Sequence, residues 1–357
     1  MRPPAGAAGI AEQVIAWQAV HGRHHLPWQQ SRDPYRVWLS EIMLQQTQVS
    51  TVLDYYARFL ERFPTVQALA LAPQDEVMGL WSGLGYYTRA RNLHRCAQQV
   101  MREHGGEFPH TVALLVTLPG IGRSTAGAIA AFCFSQRVAI LDANVRRVLT
   151  RVLGFDLDLA SLKNERLLWD KAETLLPHHD LASAMPRYTQ GLMDLGASVC
   201  TPKRPQCAKC PLSDSCVALQ QGTQEQYPVK TRKLRRSTES WQLLVMKNSS
   251  GQVWLQRRAS TGIWAGLHCV PAFADLESLD AFLHAVTDPA QVDRHDLSAF
   301  VHVLTHRDLY LHPVMVEGMS SQPVNDAGEW MGPAQWNAVG LPSPIRKLLE
   351  TPQRSLC

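Results

Sequence analysis

The sequence predicts a multidomain protein in which an all-helical module precedes a smaller α+β module. Three observations carry that expectation. Up to about Tyr227 apolar residues recur at helical spacing, interrupted by Pro and Gly. Beyond a run of basic residues near position 230, short strand-like segments replace that pattern. At 357 residues the chain has the length of two to three domains. A hydrophobic content of 45% with 18% charged residues is globular and excludes wholesale disorder. No apolar stretch approaches the roughly 18 residues of a membrane helix. Met1 to Gly9 lack the apolar core of a signal peptide. A soluble, cytoplasmic chain with no membrane partner is expected. Its net charge of +4 permits a polyanionic partner without demanding one.

Pro34 opens a segment read as one long helix to Phe63, with Val37, Leu44, Val52, Tyr56, Phe59 and Leu60 at helical spacing. Pro73 introduces Gln74 to Trp81, which ends at Gly83-Leu84-Gly85. Helices are then expected over Tyr86–His104, Thr111–Thr117 and Ser124–Phe134. An apolar run, Val138–Leu141, leads to another over Ala143–Leu153, with Asp142 in the N-cap position. Lys230, Arg232, Lys233, Arg235 and Arg236 read as an exposed basic linker. Strands are expected over Trp241–Met246, Val253–Gln256, Val301–Leu304 and Leu309–Val316, with a helix over Leu276–Ala285.

Two motifs carry chemistry. Four of the eight cysteines, Cys200, Cys207, Cys210 and Cys216, share one short segment with spacing C-x6-C-x2-C-x5-C. Four thiolates this close can surround a tetrahedral ion or a cubane iron–sulfur cluster, and a cytosolic chain disfavours disulfides. A zinc ribbon usually shows two C-x2-C knuckles, and this segment has one. The other cysteines, Cys96, Cys133, Cys269 and Cys357, are scattered. The second motif is Leu118-Pro119-Gly120-Ile121-Gly122-Arg123-Ser124-Thr125-Ala126-Gly127 between two helical segments. Glycines there let another backbone approach, and a helix N-terminus offers free N–H groups to a phosphate, as in a helix-hairpin-helix. The same pattern also fits an ordinary turn between helices.

With Ser40-Glu41-Ile42-Met43-Leu44-Gln45-Gln46-Thr47-Gln48-Val49, Gly83-Leu84-Gly85-Tyr86-Tyr87 and Leu141-Asp142-Ala143-Asn144-Val145 in the same order, the chain resembles the MutY-type adenine DNA glycosylases of the endonuclease III superfamily. The likeness runs from about Trp17 to Cys216 and resumes at Gly262–Leu267. It implies a helical glycosylase domain over 9–227, with the hairpin at about 111–134 and a [4Fe-4S] loop at 200–216. A basic linker over 228–238 and a Nudix-like domain over 239–357 would follow. The implied substrate is double-stranded DNA holding adenine opposite 8-oxoguanine or guanine, bound by a monomer.

The resemblance places the catalytic acid at Glu41, where partial burial beside Val37, Trp38, Leu44 and Gln45 would favour a retained proton. It sets Asp142 against the C1′ cation that develops as the base leaves, with Asn144 holding these groups in place. Where bifunctional relatives carry a Schiff-base lysine this chain has Ser124, which implies base hydrolysis without strand cleavage. Gln46 and Tyr86 fall on positions that wedge into the duplex, Gly120 and Gly122 on the phosphate grip, and Leu26 and Trp28 on the adenine pocket wall. In the Nudix-like module only Glu277 and Asp280 occupy the helix that would need an acidic magnesium signature, which argues against pyrophosphohydrolysis. The implied 8-oxoguanine reader is a Phe-Ser-His loop, represented here by Leu304-Thr305-His306. Two other readings are a bifunctional glycosylase/lyase, opposed by Ser124, and a non-catalytic iron–sulfur redox sensor, opposed by the Glu41–Asp142 pairing.

Overall fold

The computed structural model describes residues 9–231, 236–322 and 324–351. Positions 232–235 of the expected linker, and Cys357, lie outside them. The helical part runs α1 Ile10–His21, α2 Pro34–Leu44, α3 Val49–Arg62, α4 Val66–Leu71, α5 Gln74–Leu80 and α6 Thr88–His104. It continues with α7 Val112–Leu115, α8 Arg123–Phe134, α9 Ala143–Leu153, α10 Leu162–Thr174, α11 Leu181–Ser198 and α12 Val217–Gln220. Then come β1 Ser237–Asn248, β2 Val253–Arg257, β3 His268–Cys269, β4 Ala272–Phe273, α13 Leu276–Val286, β5 Asp293–Asp296 and β6 Phe300–Val303. The described chain closes with β7 Arg307–Met319, β8 Gly328–Met331, α14 Pro333–Ala338 and α15 Ser343–Glu350.

The helix expected from Pro34 to Phe63 is two helices. Gln45 leaves helical geometry and Gln46 adopts a left-handed backbone at φ 58°, so α2 ends at Leu44. The apolar periodicity continues across this turn, which is why the sequence hides it. Likewise α6 begins at Thr88 and not Tyr86, because Tyr86 is left-handed at φ 47°.

The described residues form two compact units that do not follow a single cut in the chain. One unit takes Met1–Tyr56, Thr65–Ala70 and Arg95–Lys233; the other takes Ala57–Pro64, Leu71–His94 and Leu234–Cys357. In the first, α1, α9 and α11 share a core of Val14, Val145, Val148, Leu149, Leu192 and Leu195. Glycines set the helix spacing. A Cβ on Gly191 would lie 2.7 Å from Val14 Cγ1, and one on Gly196 would lie 2.6 Å from the Asn144 Cβ.

In the second unit β1 and β7 run parallel as the centre of an eight-stranded sheet, with order β3-β2-β1-β7-β5. β6 pairs antiparallel with β7, so residues 304–306 form the connecting turn. Apolar side chains pack on both sheet faces, Leu243, Leu255 and Ile345 in one cluster and Leu244, Trp254 and Leu283 in the other. Residues 71–94 join this unit through specific contacts. Gly79 lies against the Ala338 carbonyl, Asp75 pairs with Arg257 at 2.5 Å, and Arg91 donates to the Ala265 carbonyl at 2.6 Å. Sequence periodicity carries no record of such long-range pairs.

Gly196→Ala tests the spacing between α9 and α11. Its methyl would collide with backbone and Cβ of Asn144, so overpacking should cost about 1–3 kcal/mol of stability. Chemical denaturation checks the stability.

Candidate active site

Glu41 sits on α2, whose start is fixed by Pro34 and by Asp33, whose carboxylate accepts from Tyr35 N at 2.8 Å and Arg36 N at 3.2 Å. Its carboxyl lines a cavity of about 240 Å³ walled also by Trp28, Gln29, Ser40, Phe132 and Gln190. Burial, then the nearby Asp142 charge, pushes its pKa up to about 8. A carboxyl in this setting keeps its proton at neutral pH.

Asp142 follows the apolar run that lies against α8, where Gly127 lets the Ala139 carbonyl approach. Ser124 Oγ accepts from Leu141 N at 3.2 Å, tying the start of α8 to the residue before Asp142. Asp142 then caps α9 as its sequence position predicts, accepting from Val145 N at 2.7 Å. Asn144 Nδ2 donates to its other oxygen at 3.4 Å. Burial raises the Asp142 pKa, while bonds from Val145 and Asn144 pull it back by favouring the charged form. Burial thus raises both neighbouring carboxyls, but only Asp142 has hydrogen bonds that favour its charged form.

A hydrogen-bonded chain leads away from Asp142. Arg147 Nη2 donates to Asn144 Oδ1 at 2.8 Å and to the Gly196 carbonyl at 2.6 Å, while its Nε donates to the Cys200 carbonyl at 2.7 Å. Arg151, almost fully buried, donates to the carbonyls of Thr201, Pro202 and Gln224 and to Cys200 Sγ at 3.3 Å. Cys200, Cys207, Cys210 and Cys216 line one small cavity with Val148, Val152, Val199 and Leu219. None forms a disulfide. Among the described residues no three His, Cys, Asp or Glu side chains converge closely enough to grip a single ion. The four thiols share one loop and one small cavity, a donor set of the kind that binds iron–sulfur clusters.

The glycine hairpin joins α7 to α8, with Gly120 left-handed at φ 80° and Gly122 as N-cap. A Cβ on Gly122 would meet nothing within 4 Å, so that helix start is open to a ligand. Gln46 and Tyr86 are both exposed and both left-handed, in the first and second unit respectively. Trp28 reaches the cavity beside Glu41, with its ring edge-on to Tyr56. Leu26 is buried but is not part of that cavity's wall. Thr305 and His306 lie exposed in the β6–β7 turn, and Thr305 Oγ1 is 3.0 Å from Tyr86 OH.

Sequence reasoning misses the wall supplied by α11. Gln190 lines the cavity and its Nε2 donates to Asp194 Oδ1 at 2.9 Å. Asp194 is fully buried and pairs with Arg23 at 2.6 Å. Gln29 also reaches the cavity, and among the described residues its buried Nε2 has no hydrogen-bond partner. The available signal was two polar residues four apart, Gln190 and Asp194, on a largely apolar helix.

Residues 39–173 match the helix-hairpin-helix superfamily of base excision DNA repair proteins, and residues 242–351 match the NUDIX domain. An adenine DNA glycosylase of Buchnera aphidicola subsp. Schizaphis graminum is 34% identical over 96% of this chain and 98% of its own. The chain belongs to the adenine DNA glycosylase family. The human adenine DNA glycosylase is 42% identical over 63% of this chain and 42% of its own length. A thermostable thymine-DNA glycosylase of known structure superposes with TM-score 0.53 and 28% identity, over 59% of this chain and 95% of that one. The fold is thus a helical helix-hairpin-helix glycosylase domain with a Nudix-like domain after it, and the protein is a base excision repair enzyme acting on DNA. No helix among the described residues is long and apolar enough to cross a membrane.

The two raised carboxyl pKa values predict a pH profile for this glycosylase. Single-turnover excision should fall above pH about 8, where Glu41 loses its proton. It should also fall on the acid side as Asp142, with its raised pKa, becomes neutral. Rates across pH 5–9 measure both limbs; a rate unchanged through pH 9 removes Glu41 as the acid.

Proposed function

We propose that this enzyme hydrolyses the N-glycosidic bond of adenine opposite 8-oxoguanine, and opposite guanine, without cleaving the strand. The observation that carries this reading is the buried Glu41 carboxyl, close enough to Asp142 to feel its charge, lining a cavity of about 240 Å³. The cavity offers complementary groups to a purine. Gln190 commits its amide nitrogen to Asp194, which leaves its carbonyl to accept from an exocyclic amine, and Gln29 supplies a donor to a ring nitrogen.

In the reaction, Glu41 gives its proton to a ring nitrogen of the extruded adenine. The C1′–N9 bond breaks, and its electron pair leaves with adenine as a neutral base. Asp142 balances the positive charge at C1′ and the ring oxygen. Water adds to C1′, and its proton goes to the Glu41 carboxylate, restoring the acid. Asn144 holds Asp142 in place. Ser124 has no amine to form an imine, and its hydroxyl serves instead as acceptor for Leu141 N. That favours hydrolysis over a lyase reaction.

Gly120 and Gly122 would grip a phosphate, and Gln46 and Tyr86 would enter the duplex that the base vacates. Thr305 and His306 would read the oxidised guanine. Cys200, Cys207, Cys210 and Cys216 would hold a [4Fe-4S] cluster. When bound, that group supplies a structural cross-link in the loop carrying Lys203, Arg204 and Lys209, whose charges suit phosphates. The setting we infer is cytoplasmic, with a monomer acting on the chromosome.

The decisive assay uses an A:8-oxoguanine duplex, resolved with and without alkali. Wild type should yield strands that break only after alkali, and Glu41→Gln should bind the duplex but leave adenine in place. Breakage without alkali, trapped by borohydride, would make the enzyme a lyase. For the reader loop, His306→Ala should cost preference for A:8-oxoguanine over A:G by on the order of 1–3 kcal/mol. Single-turnover rates on both mispairs measure it, and equal losses would confine His306 to folding.

A further inference from the structure

Tyr86 occupies a conformation that an L-residue does not hold unaided. Its backbone is left-handed at φ 47°, between Gly85 at φ 70° and the first turn of α6, and its side chain is 46% exposed. Such a residue persists only where its surroundings over-determine it. One set of restraints is local. Trp81 Nε1 donates to the Gly85 carbonyl at 3.0 Å, Arg89 donates to the carbonyls of Leu84 and Gly85, and the Arg89 guanidinium lies 5.4 Å from the Tyr86 ring centre.

The second set comes from more than two hundred residues later in the same compact unit. Ser82 and Tyr87, which bracket the turn, both donate to the Leu341 carbonyl, at 3.2 and 2.6 Å. Gly83 N donates to Tyr87 OH at 3.3 Å, closing the turn across its base. Arg346 Nε donates to Ser82 Oγ at 3.1 Å, while its other nitrogens hold Asn337 Oδ1 and the Val339 carbonyl. One carbonyl and one guanidinium from the C-terminal segment thus fix both ends of the turn that presents Tyr86.

We propose that Leu341 and Arg346 position Tyr86, so that the C-terminal module shapes the wedge itself, whichever base stands opposite the adenine. This rests on the reading of Tyr86 as the residue that enters the duplex. Arg346 touches no reacting atom; it is a positioning residue acting through Ser82 and the turn.

Tyr87→Phe keeps the ring and removes the hydroxyl's hydrogen bonds; Arg346→Met keeps the aliphatic stem and removes the guanidinium, with its bond to Ser82 and its contacts to Glu350 and Trp336. Both are compared in the full-length chain with Tyr86 present and in a Tyr86→Ala background. One readout is the single-turnover rate on A:8-oxoguanine and A:G. The other is the fluorescence of 2-aminopurine at the target position, which reports base extrusion. With Tyr86 present, each variant should lower rate and extrusion about three- to tenfold, as for a lost hydrogen bond, equally on both mispairs. In the Tyr86→Ala background neither should cost anything more. The same loss in both backgrounds, or a lowered melting temperature with extrusion unchanged, overturns the proposal. Extrusion is read without chemistry, so failure of the proposed excision reaction, seen as an active Glu41→Gln, is a separate outcome.

Discussion

Two carboxyl groups lie near each other in a poorly hydrated site, where burial raises the pKa of both. The fold nevertheless surrounds the two differently. Glu41 emerges from mid-helix into a cavity that Val37 and Phe132 also line, and burial, then the Asp142 charge, raises its pKa to about 8. Asp142 starts a helix, where Val145 N and Asn144 Nδ2 stabilise the carboxylate. Much else in the helical unit serves that asymmetry. Gly127 and Ser124 fix the run before Asp142, Gly196 makes room for Asn144, and Arg147 turns Asn144 towards the aspartate while reaching the Cys200 carbonyl. The cysteine loop and Asp142 are therefore linked by a short series of charge-assisted and amide hydrogen bonds.

The residues assigned to duplex entry obey a different constraint. Gln46 and Tyr86 both sit where the backbone turns left-handed without glycine, at some cost in conformational energy. In return the turn projects a side chain beyond the helices on either side. For Gln46 the turn is short, with Thr47 N bonded to the Leu44 carbonyl and the neighbouring Gln45 reaching Thr125 of the hairpin helix. For Tyr86 the restraints come from Arg89, Trp81 and the C-terminal segment.

Much of the local architecture is legible in the sequence because its signals are local. Pro34 marks the start of α2, Asp142 marks the start of α9, and the Gly-Ile-Gly turn marks the hairpin. The cysteine spacing likewise encodes a shared loop. What is not legible depends on tertiary contact. The break at Gln46 is hidden because the apolar stripe continues through it. Gln190 and Arg187 reach the cavity from a helix about 150 residues beyond Glu41, and no periodicity pairs those segments. The membership of residues 71–94 in the second unit rests on pairs such as Asp75–Arg257, which exist only once the chain has folded.

Leu304 shows how a departure from a family pattern changes the division of labour in a loop. The family resemblance implies an aromatic there, to stack beside the oxidised guanine. Leu304 is half-buried, packs against the core formed by Leu309, Leu311 and Ile345, and closes the β6–β7 turn by donating its N–H to the Arg307 carbonyl at 2.7 Å. A leucine so placed anchors the turn and has no π-face to offer a base. Thr305 and His306 are the exposed members of the turn, and both carry hydrogen-bonding groups. Recognition through this loop would then rest on polar contacts, which tell 8-oxoguanine from guanine by the oxygen at C8 and the proton it places on N7. Stacking, which every base offers, discriminates poorly between the two. The substitution at 304 would thus lower affinity for either partner base more than it lowers the distinction between them.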